Sequence, residues 1–300
     1  MDEFAYIESC LSTLSTNGAL KNDAFLYQQN TVITKDIIIE GVHFLPRTKP
    51  SDIAKKALRV NLSDLAAMGA KPYGYFLGLV LNNTSSNWLN SLTGGLREDS
   101  KKYNLKLLGG DTTAHQGATM ISITMLGLVD GGNVLTRSNA QINDRVYVSN
   151  TIGDAALGLL TYTAPSLQSF TNLQENYKYP DPQLELGQYL LSTEQASACL
   201  DISDGLIQDA NHICCESKVG MVIDVNKIPF SSTAKKIIGL NHKYLEIAIT
   251  GGDDYQLLFT SPYDIERDDI TEIGTVTKGD GVVIQNAEMS LNNQGYKHFR

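Results

Sequence analysis

Eight aspartates carry the chemistry open to this sequence. Asp23, Asp36, Asp111, Asp201, Asp204, Asp253 and Asp254 stand at predicted strand ends or just after them, several beside a glycine. Asp64 differs: it sits in the apolar half of a predicted helix, within RVNLSDLAAMGAK (59–71). A carboxylate there is costly to bury unless a cation or a donor meets it. Taken singly, each acid reads as a solvated loop residue, and Asp64 as one satisfied by a backbone N–H. Taken together they suggest a site, because α/β proteins bind ligands beyond their strand ends. Hard oxygen ligands favour Mg²⁺, Mn²⁺ or Ca²⁺, whereas the Cys and His residues do not cluster at zinc-ligand spacing. Gly109 to Thr113, GGDTT, reads either as a phosphate-cradling turn with free N–H groups and two hydroxyls or as an ordinary glycine turn. No P-loop, GxGxxG fingerprint or GxSxG elbow occurs.

Alternating strands and helices must hold these acids. The pattern predicts a helix over 4–14, a strand over 24–27, and a β-branched strand over 31–40 interrupted at Lys35-Asp36. A helix over 51–68 follows, with Ser51 as N-cap and Gly69 as stop. Next come a strand over 73–81, a helix over 88–102 weakened by Gly94-Gly95, a short strand over 105–108 running into the glycine turn, and a strand over 119–129. Gly, Asn, Ser and Asp cluster at 131–144, which sets two domains, 1–136 and 137–300. The second domain is predicted to hold strands over 145–149, 199–202, 219–225, 245–250, 255–260, 273–276 and 282–284. Its helices are expected over 153–162, 183–194, 206–217 and 231–240, and 163–182 reads as a surface connection. The alternation gives an α/β fold.

Composition excludes several classes. A chain of 300 residues is comfortable for two domains, and 42% hydrophobic against 19% charged residues makes it globular. Net charge is −9 with no basic stripe, so nucleic acid is not expected as a partner. Cys10, Cys199, Cys214 and Cys215 form no CxxC pair and read as reduced cytosolic thiols. The stretch MDEFAYIESC lacks a basic n-region, and the longest apolar run, 73–81, is too short to span a bilayer. A cytoplasmic protein without membrane contact is expected.

Six stretches become specific together: EGVHF (40–44), NLSDLAAMGA (61–70), LGGDTT (108–113), LTRSNA (135–140), DISDGL (201–206) and GGDDYQLLF (251–259). In this order they resemble the thiamine-monophosphate kinase family, of the ATP-binding superfamily typified by aminoimidazole ribonucleotide synthetase. The resemblance implies phosphorylation of thiamine monophosphate to thiamine diphosphate by direct in-line transfer from ATP. It implies a homodimer paired through mixed-sheet N-terminal domains, a C-terminal α/β domain, and an active-site cleft between the two. Asp23, Thr34, Asp36, Asp64, Asp111, Asp201 and Asp204 are then matched to positions holding several Mg²⁺ ions. Tyr103, Gly110, Arg137 and Ser203 are matched to ATP contacts, and His43, Asp253 and Tyr296 to substrate contacts.

That chemistry suits the residues. Two anionic phosphates repel unless cations intervene. An acceptor phosphate with a second pKa of about 6 is already ionised, so no general base is required and no residue is assigned as nucleophile. The chain departs from the family pattern in three places. Lys21-Asn22-Asp23 replaces Gly-Asp-Asp, Lys35 replaces a small hydroxyl residue, and Asp253 replaces Glu. Lys35 either points away or sets its ammonium in place of one ion. The alternatives are a homologue that binds nucleotide or thiamine phosphate with little turnover, or another synthetase of the superfamily.

Overall fold

The computed structural model describes residues 11, 14, 15, 20–82, 85–286 and 295. The helix expected over 4–14 and the candidate Tyr296 lie outside the residues it describes, apart from 11 and 14.

The N-terminal sheet has five strands: β1 (Phe25–Tyr27), β2 (Thr31–Ile39), β3 (Lys71–Leu81), β4 (Lys106–Ala114) and β5 (Met120–Leu128). Their order is β1-β2-β5-β3-β4, with β3 and β4 parallel and the other neighbours antiparallel. Period-two alternation turns Val32, Thr34, Asp36 and Ile38 to one face and Lys35 and Ile37 to the other. Helix α1 (Pro50–Ala67) covers the first face, where Val32, Ile38, Leu58, Leu62, Leu65, Ile121, Ile123 and Met125 form the core. The opposite face exposes Phe25, Ile37, Phe76 and Leu128. Helix α2 (Ser86–Lys102) packs beside α1. It comes so close that a Cβ at Gly95 would lie 2.3 Å from the Ser51 carbonyl oxygen, which explains the glycine that sequence reading took as a weakness.

The second sheet contains β6 (Arg145–Ser149), β7 (Ala198–Asp201), β8 (Gly220–Asp224), β9 (Leu257–Ser261), β10 (Ile270–Thr277) and β11 (Gly281–Gln285). They run in the order β11-β8-β10-β6-β9-β7, parallel only at β8–β11. Its helices are α3 (Asp154–Leu160), α4 (Gln174–Lys178), α5 (Leu184–Ser192), α6 (Leu206–Ser217), α7 (Ser232–Leu240) and α8 (Lys243–Thr250). Helix α1 joins the halves. Ala66 and Ala67 pack with Leu186 and Leu190 of α5 and with Cys199, Leu257 and Phe259 of the second sheet. At that seam Gly187 lies so near that a Cβ would be 2.0 Å from the Ala66 carbonyl oxygen. No helix among the described residues is long and apolar enough to cross a membrane.

Several local expectations change. Strand β2 is unbroken at Lys35-Asp36. Helix α1 starts at Pro50, whose ring suits the first helical turn, so Ser51 is inside the helix and Lys49 is the cap. The GGDTT segment is strand, because β4 continues through it beside β3. Residues 245–250 are helical despite their β-branched run, since Tyr244, Ala248 and Ile249 form one buried helical face. The segment 163–182 buries Leu167, Leu173 and Tyr177 and contains α4 rather than looping over the surface.

Candidate active site

Two short segments and two element ends converge where α1 meets β2 and β7. Asp64 projects from α1, Thr34 and Asp36 from the inward face of β2, Asp201 from the end of β7, and Asp23 from just before β1. Carboxylate oxygens of Asp23, Asp64 and Asp201 lie within 4.8 Å of one another. Thr34 Oγ1 donates to Asp64 Oδ2, and Ser63 Oγ donates to Asp201 Oδ2 at 2.6 Å. Arg137 Nε and Nη2 donate to Asp23 Oδ1, the former at 3.1 Å, while Asp23 Oδ2 is buried without a hydrogen-bond partner.

Charge in this cluster is poorly compensated. Burial lifts Asp36 to about 6 and Asp201 to about 8, with the charge of Asp23 adding to both. Burial also drives Asp64 well above the usual carboxylate range, with repulsion from Asp36, Asp201 and Asp23 adding to the effect. Arg137 is pushed up by Asp23, against its own burial. A hard divalent cation fits this set: several carboxylates converge, one buried oxygen is orphaned, and the arginine is engaged with Asp23.

The second wall of the site comes from two loops packed backbone to backbone. Residues 202–205 follow β7, and residues 251–255 precede β9. Asp253 N–H donates to Ser203 O and Tyr255 N–H to Ile202 O, each at 2.8 Å. Gly252 has φ +71°, and a Cβ there would stand 2.2 Å from the Ser203 carbonyl oxygen, so only glycine fits. An open cleft of about 790 Å³ lies between the domains, lined by Asp36, His43, Ser203, Asp204, Asp253 and Tyr255 among others.

The sequence candidates therefore divide. Asp23, Thr34, Asp36, Asp64, Arg137 and Asp201 form the buried cluster, and His43, Ser203, Asp204 and Asp253 line the adjoining cleft. Gly110 and Asp111 are not brought to either. They lie on β4, three strands across from β2 or roughly 14 Å at the usual strand spacing, and Asp111 is exposed. Tyr103 ends α2 with its hydroxyl buried and unpartnered, its ring 4.7 Å from Lys102 Nζ.

The departures also find places. Lys35 points to the sheet's other face, where Nζ donates to Ser122 Oγ at 2.6 Å, away from the carboxylate cluster. Lys21 pairs with Glu216 at the surface, and Asn22 Oδ1 accepts the Arg137 backbone N–H at 3.0 Å. Asp253 is held by Lys56, whose Nζ lies 2.8 Å from Oδ2.

Sequence reading missed Asp209, His212, Ser63 and Lys56. Asp209 Oδ2 accepts the backbone N–H groups of Asp204 and Gly205 at 3.0 and 3.1 Å, fixing the loop that carries Ser203. Asp204, Asp209 and His212 also present ligand atoms within 4.8 Å of one another, and burial takes His212 down to about 4. The signal was available: Asp209 follows Asp204 by five residues in a predicted helix, and His212 by eight.

A mixed sheet with one acid-bearing helix against it, joined at that helix to a second sheeted domain, defines the class. Residues 21–129 match the family described as AIR synthase related protein, N-terminal domain. The chain belongs, more narrowly, to the thiamine-monophosphate kinase family. It is 40% identical over 238 residues to the thiamine-monophosphate kinase of Haemophilus influenzae, covering 77% of this chain and 70% of that one. It is 35% identical over 290 residues to that of Escherichia coli strain K12, covering 91% and 87%. A solved structure described as AaThiL complexed with AMPPCP and TMP superposes with a TM-score of 0.87 at 30% identity, covering 99% of this chain and 97% of that one.

Proposed function

We propose that the protein transfers the γ-phosphoryl group of ATP to thiamine monophosphate, forming thiamine diphosphate in the cytoplasm, with Mg²⁺ required. The observation that carries this reading is the buried carboxylate cluster beside the interdomain cleft, with Asp23 Oδ2 orphaned within it and Asp36 reaching the cleft. Bound Mg²⁺ supplies the charge neutralisation that lets two phosphate groups approach. Asp23, Thr34, Asp36, Asp64, Asp201 and Asp204 are the residues to hold it.

The rest follows from what the side chains do. The acceptor oxygen is ionised at neutral pH, so the protein has to align it rather than deprotonate it. Arg137 keeps its charge and offers a donor fork for phosphate once its hold on Asp23 is shared with a cation. Ser203 presents a hydroxyl to the nucleotide side of the cleft. His43 and Asp253 face the acceptor from opposite domains, and Tyr296 is assigned with them from the sequence pattern alone. Asp204 sits on a loop fixed by Asp209, so its carboxylate needs no rearrangement to bind.

Asp111, Gly110 and Tyr103 belong to this reading through a second copy of the chain. An exposed edge strand and a sheet face exposing Phe25, Ile37, Phe76 and Leu128 support pairing of two N-terminal domains. The binding-only alternative rested on Asn22 and Lys35, and the outward Lys35 removes half its support.

The test is direct. Purified protein with ATP, thiamine monophosphate and Mg²⁺ yields thiamine diphosphate and ADP in equal amounts, and chelation of Mg²⁺ stops both. Ligand binding without product at any Mg²⁺ concentration would overturn the proposal.

A further inference from the structure

Lys56 is a lysine buried in the interior of the protein. Its side chain is 3% exposed, yet it lies on α1 between the two domains. Burial pulls its pKa down and the facing carboxylate of Asp253 pulls it back up. Nζ stands 2.8 Å from Asp253 Oδ2 and 3.8 Å from the centroid of the Tyr177 ring. An ammonium is seldom buried without both a counter-charge and a ring face to replace its water, and here it has each.

Tyr177 continues the chain of contacts. It is 4% exposed, and its hydroxyl donates to the His43 carbonyl oxygen at 3.1 Å. Burial keeps that hydroxyl protonated far above neutral pH, so the donor persists. His43 in turn is fixed in the other direction, its Nδ1 accepting the Ile39 N–H at 3.1 Å. The carboxylate on the far side is under constraint as well: Asp253 has φ +65° and Tyr255 φ +52°, conformations a non-glycine residue adopts only when its surroundings impose them.

We propose that Lys56 and Tyr177 form a positioning bracket, tying His43 of the first domain to Asp253 of the second across the cleft and so setting affinity for the acceptor. The inference rests on the proposed function, which gives His43 and Asp253 to the acceptor. Neither Lys56 nor Tyr177 has to touch it. The bracket suits a cationic acceptor. Thiamine carries a fixed positive charge on its thiazolium ring, and the Asp253 carboxylate, 24% exposed, still opens to the cleft while Lys56 fixes its position. It also gives a use to α4, which supplies Tyr177.

The test compares Tyr177→Phe and Lys56→Met with the unmodified protein in initial-rate kinetics, varying thiamine monophosphate and ATP separately. Tyr177→Phe keeps the ring and loses one hydrogen bond, so KM for thiamine monophosphate rises about five-fold. Lys56→Met removes the contact that holds the Asp253 carboxylate in place, and the rise is roughly ten-fold or more. KM for ATP and the Mg²⁺ requirement stay within about two-fold in both. A purely structural role moves both KM values together or neither, and either result overturns the inference while the kinase reading stands. If the unmodified protein makes no thiamine diphosphate, the kinase reading falls first and the bracket with it. Should Lys56→Met not fold, Tyr177→Phe decides alone, since it removes a single oxygen.

Discussion

Replacing Asp64 with Asn separates what the carboxylate cluster costs from what it is for. In the metal-free protein burial lifts Asp36 from the ordinary 3.8 to about 6 and Asp201 from 3.8 to about 8. Both folded values lie above the unfolded ones. The stability these groups contribute is therefore complete below about pH 4 and is lost as the pH rises through the folded values, up to about 8. At about 1.4 kcal/mol per pK unit, Asp201 alone withdraws on the order of 5 kcal/mol between pH 4 and pH 8, or roughly 10 °C in melting midpoint for a chain of this size. Asparagine at 64 imitates the protonated side chain. Its oxygen accepts from Thr34 and its amide donates to Asp36, as the acid does, but it cannot ionise and repel Asp36 and Asp201. Thermal melts in EDTA from pH 5 to pH 8.5 are expected to show the unmodified protein losing roughly 10 °C or more and Asp64→Asn losing less, because Asp36 and Asp201 still titrate in the variant and position 64 does not. At pH 8 without metal the variant is at least as stable. Added Mg²⁺ then raises the midpoint of the unmodified protein most at high pH, where the carboxylates are easiest to deprotonate, and raises that of the variant little. A flat or rising midpoint for the unmodified protein in EDTA, or a variant less stable at pH 8, would refute the reasoning.

Three further outcomes follow from single contacts. Lys35→Ala removes an outward hydrogen bond to Ser122 and a charge that acts on Asp36 from the far face of the sheet, so stability changes by about 0.5 kcal/mol or less and the Mg²⁺ requirement is unaltered; a raised requirement, read by titrating Mg²⁺ in the kinase assay, would show that the ammonium serves the site. Asp209→Asn keeps an acceptor for the Asp204 and Gly205 N–H groups and stays near normal, whereas Asp209→Ala strands both donors, costs about 2–3 kcal/mol in urea unfolding and raises the Mg²⁺ concentration needed for activity; equal effects from the two would mean that charge rather than the hydrogen bonds matters. Gly187→Ala forces α5 away from the Ala66 carbonyl and destabilises by about 1–3 kcal/mol, measured by the same unfolding; a neutral result would mean that the domain seam yields without cost.

The acids were legible one by one because residue type and spacing mark them. The Ala- and Leu-rich run around Asp64 is a helix as its composition requires, whereas Thr34 and Asp36 share one face of β2 only because the strand runs unbroken through Lys35-Asp36, where the sequence predicted an interruption. Elsewhere local propensity was overruled by packing. The β-branched stretch 245–250 is helical because its period-four face is buried, and GGDTT is extended because β3 offers it a parallel partner. The segment 163–182 looked like surface for its prolines, yet Tyr177 within it is interior.

The sequence by itself determined the inventory: seven candidate ligand residues, the motifs that carry them in order, the helix that holds Asp64, and an acidic two-domain chain with no basic stripe. Only the tertiary structure decided which of them meet. It joined Asp23, Asp64 and Asp201 from positions far apart in the chain, left Asp111 on an outer strand, turned Lys35 away, and brought Lys56, Tyr177 and Asp209 into the account. The reason is physical. Spacing along a chain fixes which side of one strand or helix a residue faces, but the meeting of carboxylates from a helix and two sheets depends on how those elements pack. That packing is set by apolar contacts such as those of Ala66 and Ala67 with Leu186, Leu190 and Phe259, which no motif records.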